Sequence, residues 1–418
     1  MKILLSAYAC EPNRGTEPGV GWNTAVSLAQ YHQIWVFTSN THRSAIEAEL
    51  VIRPVANLQF VYLDPLNWVY DWSQEGKKSH WDVHFHYYLW QIQAYRIGRS
   101  LHRTINFDII HHVTYGKHSA PSFLSFLPVP FLWGPVGGAE NAPPSFWQDF
   151  SLRAKTYEVF RRISQFIGEL DPFVRLTARR SRLAWCKAAD TARQIERLGA
   201  QKVSIMVESG LQVDELDRLA SYSMPSTEAV RFISMGRLLH WKGVYLGIRA
   251  FAAAAIPGAE YWILGEGPER MRLQALAEAL GVADRVRFWG NLPRDRGLAK
   301  LGECHVLVHP SLHDSGGWVC LEAMASGRPV ICLDLGGPGV QITAEVGFKI
   351  PAYDPEQAVR GLADAMLALA KDPELRIAMG QIGRKRASEL FSWQNKAKQL
   401  SELYQEALSG DLVTSTNN

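Results

Sequence analysis

"HPSLHDSGGWVCLEAMASGRPVICLD", residues 309–334, places a short helical stretch (Leu321 to Ala325) between two hydrophobic, strand-like runs. An acid, Asp314, precedes Ser315-Gly316-Gly317 on the connecting loop, and a second acid, Glu322, follows eight positions later. Buried strands of parallel sheets read as continuous apolar runs. In such sheets ligands bind beyond the carboxyl ends of the strands, where loops turn into helix N-termini. Glycines there let a phosphate or sugar approach the backbone, and carboxylates suit the paired hydroxyls of a ribose or hexose. The plainer alternative for Glu322 is a residue that satisfies helix-terminal N–H groups.

The same unit recurs on either side. Runs at 2–9, 33–39, 58–64, 107–113 and 129–136 form one series, and runs at 230–236, 259–265, 285–290, 304–310 and 328–334 a second. Helical stretches such as "KGVYLGIRAFAAAA" and "ERMRLQALAEALG" lie between them. Two βα series predict an α/β protein of two Rossmann-like, doubly wound domains, as its 418 residues also suggest. The first domain is expected over 1–205 and the second over 229–392. Residues 206–228 are expected as a linker region, next to the polar "SYSMPSTEA" (221–229). A helix over 393–409 is expected to pack back on the first domain, and the tail 410–418 to fray.

Composition excludes several classes. Apolar residues make up 47% and charged residues 20% of the chain, which describes a globular protein. No run approaches the roughly 18 apolar residues of a membrane span. "MKILLSAYAC" is short for a secretory signal and reads as a buried first strand. Five scattered cysteines (10, 186, 304, 320 and 332) show neither CxxC nor zinc-site spacing, so reduced thiols in the cytoplasm are expected. The net charge of +3 is uneven: segment 151–187 holds nine Lys/Arg against three acids, with Phe160, Ile163, Phe166, Ile167 and Leu170 interleaved. One reading is a solvated helix face. The other is contact with an anionic membrane surface, through cations such as Arg161, Arg162, Arg179 and Arg180. Aromatic stretches at 67–72 and 84–103 suit the same interface, or simply lie buried under the sheet.

Further strand-end turns carry chemistry. In "SMGRLLHWKG" (234–243), Gly236 ends a strand, Arg237 follows, and Lys242-Gly243 opens the next helix. Two cations five residues apart beside a helix N-terminus can clamp a diphosphate, although surface cations on loops are common. "LGEGPER" (264–270) and "WGNLP" (289–293) are glycine turns of little specificity alone.

In combination they are specific. "GRLLHWKG", "LGEGPE", "VRFWGNLP" and the opening stretch, in this order, resemble the donor half of a retaining glycosyltransferase of family 4 (group 1). That family has the GT-B fold, in which two Rossmann-like domains face each other across a cleft. The likeness is continuous over 229–405 and looser over 1–205, where "GTEPGVGWN" (15–23) matches the glycine loop after the first strand. The resemblance implies that Arg237 and Lys242 hold the donor diphosphate and Glu322 the ribose hydroxyls. Asp314 would bind the transferred sugar. Backbone groups of Gly316, Gly317, Trp318 and Val319 would meet the sugar and phosphates. Gly267 and Leu292 would flank the nucleobase, and Gly236 and Gly265 complete the donor set. On the acceptor side stand Gly15, Glu17, Gly19, Gly137 and Gly138.

The chain departs from the family pattern twice. The family usually has Glu at Asp314 and aromatic-Gly at Gly316-Gly317. A His often follows the fifth strand, where this chain reads "LWGPVGGAE" (132–140). His111, His112 and His118 in "HHVTYGKH" are the substitutes, His118 and His111 ahead of His112. Catalysis is thus expected from Asp314, Glu322, Arg237, Lys242, His118 and His111.

There is no Asp-x-Asp to hold a divalent ion. Arg237 and Lys242 can neutralise the diphosphate, so no metal or cofactor is expected, and no nucleic-acid partner. The expected partners are a nucleotide sugar (uridine favoured, guanosine next) and a hydroxyl acceptor, either a membrane lipid or lipid-linked glycan or a soluble saccharide. The location follows: cytoplasmic, or peripheral at the inner face of a membrane. A nucleotide-sugar epimerase and a non-catalytic sugar-nucleotide binding subunit are the competing readings.

Overall fold

The computed structural model describes residues 1–68, 80–227 and 229–409. Most of the aromatic stretch 67–72 and the tail 410–418 lie outside the described residues.

Among the described residues the chain forms two parallel sheets. The first contains β1 (Lys2–Ala7), β2 (Gln33–Ser39), β3 (Leu58–Leu63), β4 (Ile109–Thr114), β5 (Phe131–Val136), β6 (Ser181–Cys186) and β7 (Val203–Ile205), in the order β3-β2-β1-β4-β5-β6-β7. The second contains β8 (Arg231–Met235), β9 (Glu260–Leu264), β10 (Val286–Gly290), β11 (Val306–His309), β12 (Val330–Leu333) and β13 (Gly347–Ile350), in the order β10-β9-β8-β11-β12-β13. Every residue of β4, β5, β11 and β12 is buried, as expected of strands covered on both faces. Strand order reverses between β1 and β4 and again between β8 and β11, and a doubly wound sheet opens its ligand crevice at such points.

All ten expected runs are strands. β6, β7 and β13 were not expected: "VSI" and "GFKI" are short edge strands, and "SRLAWC" has an exposed Arg182 inside it.

Contacts divide the chain into two units. One comprises residues 1–139 and 163–208 together with the C-terminal helix Trp393–Ser409; the other comprises 140–162 and 209–392. Segment 140–162 therefore departs from the expected first domain. Ala142, Phe146, Phe150 and Ala154 sit in the apolar core of the second unit with Val244, Tyr245 and Phe251. The expected linker also shrinks. From Ser209 on the chain belongs to the second unit, where the helix Val213–Ala220 buries Leu216 and Leu219 against the helices Trp318–Ala325 and Pro373–Phe391. In the first unit, Tyr404 and Ser401 of the C-terminal helix hydrogen-bond His111 and His32.

Candidate functional site: a strand-end pocket in the second unit

The turns after β8, β9 and β11 pack on one another. Gly265 has φ +134°, and a Cβ there would collide with the carbonyl oxygen of Gly236. Gly243 has φ +64°, and a Cβ there would strike the carbonyl oxygen of Pro310. Only glycine combines such a backbone with so close an approach. The "GRLLHWKG" loop is therefore laid directly on the "HPSLHD" loop, and the Leu312 amide donates to the Trp241 carbonyl at 2.7 Å.

This brings Lys242 to Asp314, whose Oδ2 accepts from Lys242 Nζ at 2.5 Å and lies 3.1 Å from His309 Nε2. Its Oδ1 accepts from the backbone N–H groups of Gly316 and Gly317 at 3.2 and 3.3 Å. Burial alone would raise the Asp314 pKa. The Lys242 charge and the His309 hydrogen bond overcome it and hold the carboxyl well below its usual range. Asp314 is thus an anion that neutralises Lys242 and gathers the loop amides. The sequence reading had it pointing at a sugar and left the glycine amides to a phosphate.

Glu322, on the helix Trp318–Ala325, is nearly buried. Burial pushes its pKa up, and Arg294 pulls part of the way back. Arg294 Nη2 donates to Glu322 Oε1 at 2.6 Å and also pairs with Glu215. Beside them opens a pocket of about 560 Å³, whose lining includes Gly236, Arg237, Gly265, Leu292, Arg294 and Glu322. Lys242 lines a smaller recess shared with Gly236 and Arg237. Arg237 itself is exposed. Gly267 packs on the Leu238 backbone, and Trp318 and Val319 are half-buried at the helix start.

A second cluster backs this loop. Glu158, fully buried on the helix Leu152–Leu170, lies 2.8 Å from His240 Nε2 and 3.4 Å from His313 Nε2 through the same Oε1. Trp241 stacks between Tyr157 and His313, with ring centroids 5.0 Å apart on either side. Burial opposes the Glu158 charge, but the two imidazoles lower its pKa to about 2.

In the first unit the histidines fare unequally. His111 is fully buried, 2.5 Å from the Tyr404 hydroxyl and 2.7 Å from the Gly134 carbonyl oxygen. Burial lowers its pKa to about 3. It is a neutral structural group with both nitrogens occupied, which corrects the expectation of a catalytic role. His112 is likewise enclosed, by Ser6 and Tyr115. His118 differs: Nε2 meets Glu169 at 3.2 Å, and Nδ1, next to Gly138, has no hydrogen-bond partner among the described residues. Glu17 is not a free loop acid, because its Oε1 accepts from the Gly116 amide at 2.6 Å. Gly137 bonds to Gly116 and His118, so these residues form one cluster. Gly15 caps the helix Thr16–Leu28 with open space around it, while Gly19 lies against the Arg14 carbonyl.

Sequence reasoning missed Arg294, His309 and the Glu158–His240–His313 group. Arg294 directly follows the "NLP" turn, and His309 and His313 stand inside the opening stretch, so local signals existed for these three.

Known proteins resemble the chain in matching ways. The family model for glycosyl transferases group 1 matches residues 224–386. D-inositol 3-phosphate glycosyltransferase of Corynebacterium jeikeium is 34% identical over 192 residues, 43% of this chain and 44% of that protein. The chain spans about half the length of the curated relatives it matches. Sucrose-phosphate synthase from Thermosynechococcus elongatus superposes with a TM-score of 0.64 at 18% identity, covering 98% of this chain and 99% of the other. Anabaena HepE, in complex with UDP and glucose, superposes with a TM-score of 0.61 at 16% identity over 97% and 100%. At these identities the two structures speak for the fold. The family model thus covers residues 224–386, the part of the chain that holds the strand-end pocket, and over nearly its whole length the chain shares the GT-B fold of these structures.

Proposed function

We propose that the protein moves a hexosyl group from a nucleoside diphosphate sugar to an acceptor hydroxyl. The observation that carries this reading is the pocket beyond β8 and β9, where Arg237, Arg294 and Glu322 meet, with Lys242 and Asp314 next to it. Glu322 holds the ribose hydroxyls. Arg237 and Lys242 take up the negative charge that grows on the diphosphate as the bond from the anomeric carbon to the phosphate oxygen breaks. The acceptor oxygen forms the new bond on the same face as its proton passes to the departing phosphate oxygen, so configuration is retained, as the family resemblance suggests. Binding a diphosphate separates Lys242 from part of its pairing with Asp314, which leaves a carboxylate facing the sugar. The Anabaena neighbour's complex with UDP and glucose supports a uridine donor. In the first unit, His118 and its cluster with Glu17 and Gly138 serve the acceptor. A membrane lipid or lipid-linked glycan is the proposed acceptor class, with a soluble saccharide as the second reading.

A panel of UDP-, GDP- and ADP-sugars tests the donor assignment. A ligand at about 100 times its Kd stabilises the native state by about 2.7 kcal/mol, so the true donor raises the melting temperature. If none of the panel does so, the assignment is wrong.

A further inference from the structure

The helix Leu152–Leu170 leaves one face uncovered. Leu152, Phe160, Ile163, Phe166, Ile167 and Leu170 are each about half to four-fifths exposed. At 3.6 residues per turn they fall in a single sector of roughly 120°. Ala154 and Glu158, on the other side, are buried. The following helix, Pro172–Arg180, also leaves Phe173 and Leu176 partly exposed. Single exposed apolar residues are ordinary, but a contiguous strip of this kind marks an interaction surface.

Charge identifies the partner. Arg153, Arg175, Arg179, Arg180 and Arg182, in the same segment as the strip, are exposed, and no acid between 151 and 182 is exposed. Glu158 is buried, Glu169 faces His118, and Asp171 caps the next helix through the Phe173 amide. Two copies meeting through this face would bring their arginines together, which repels. An apolar strip accompanied by cations instead suits a layer with acyl chains inside and anionic head groups outside. No helix among the described residues is long and apolar enough to cross a membrane. We propose that this face seats the protein on an anionic lipid surface, with the helix lying in the interface.

Two of the cations expected at such a surface are engaged elsewhere. Arg161 Nη1 donates to Asn141 Oδ1 at 2.5 Å, and Arg162 bonds to the Ala142 carbonyl and lies over the Trp147 ring. Arg175, Arg179 and Arg180 are the cations to change, because they are exposed where Arg161 and Arg162 are half-buried; Arg175 Nε also donates to the Glu169 carbonyl oxygen at 3.2 Å, and Arg180 lies over the Phe126 ring.

The proposal rests on the lipid-acceptor reading above, and binding and transfer are measured separately so that either can fail alone. Full-length protein is co-sedimented with vesicles of phosphatidylcholine, with and without phosphatidylglycerol. Binding is expected only with the anionic lipid and falls as salt rises. Phe160→Ser with Phe166→Ser should lower partitioning at least about tenfold. Arg175→Gln, Arg179→Gln and Arg180→Gln together should cost up to about a hundredfold and remove the lipid selectivity. Unchanged melting and nucleotide binding show that the variants are folded. Wild type left in the supernatant at low salt overturns the proposal. So does a concentration-dependent dimer in sedimentation velocity that the phenylalanine variant abolishes while vesicles stay unbound. Vesicle binding with transfer only to soluble saccharides would leave the surface standing and reject the lipid acceptor.

Discussion

Replacing Glu158 with alanine removes the one acceptor shared by two nearly buried imidazoles. His240 and His313 both point Nε2 at Glu158 Oε1, at 2.8 and 3.4 Å. A buried donor left without a partner costs about 1–3 kcal/mol. The longer contact contributes the low end, so a total of about 2–4 kcal/mol is expected. The titration of Glu158 gives a comparable figure. Its pKa falls from 4.5 to about 2 on folding, which corresponds to roughly 3 kcal/mol. Because the folded pKa is depressed, this stabilisation is present above pH 4.5 and is lost as pH falls from there through 2. For a unit of this size, 1 kcal/mol shifts Tm by about 2–4 °C, so Glu158→Ala should melt roughly 5–15 °C below wild type at neutral pH. Glu158→Gln keeps an acceptor oxygen without the charge and should lose about half as much. Function should follow, because His240 stands two residues before Lys242 and His313 directly precedes Asp314. Weaker binding of a nucleoside diphosphate, measured calorimetrically, is the expected second effect. Melting within about 1 °C of wild type together with unchanged nucleotide affinity would refute the reasoning.

Arg237→Ala or Lys242→Ala should each slow transfer by about 30- to 1000-fold; steady-state rates within about threefold of wild type for both would remove them from the diphosphate. Glu322→Ala should weaken the free nucleoside diphosphate, and Asp314→Ala mainly the intact sugar nucleotide. Titration calorimetry with both ligands decides, and equal losses would contradict the division of roles. Arg294→Ala removes the main group that pulls the Glu322 carboxyl down against burial, so its pKa should rise further. Nucleotide affinity of that variant should therefore depend on pH more steeply than that of wild type, improving as pH rises, and parallel profiles would show that Arg294 does not act through Glu322.

The site was legible where chemistry sits on contiguous loops. Arg237, Lys242, Asp314 and Glu322 each follow a mainly apolar strand, and the glycines beside them mark the turns. The structure adds what those loops touch. Asp314 reads as a free acid, yet it accepts from Lys242, 72 positions away, and from two loop amides. In the sequence His111 reads as near the carboxyl end of a strand, where an active-site base belongs, but it is the third of the six residues of β4. Tyr404, 293 positions later, closes over it and burial keeps it neutral.

By itself, then, the sequence determined two parallel sheets and the candidate-site residues on the loops and helix after β8 and β11, because strand burial and glycine turns are local properties of the chain. Tertiary structure alone decided that 140–162 joins the second unit, that Glu158 braces both phosphate-side loops, and that the apolar face of Leu152–Leu170 stays open. Each of these depends on which distant side chain arrives to pair with a buried charge or cover an apolar surface, and no local spacing encodes that arrival.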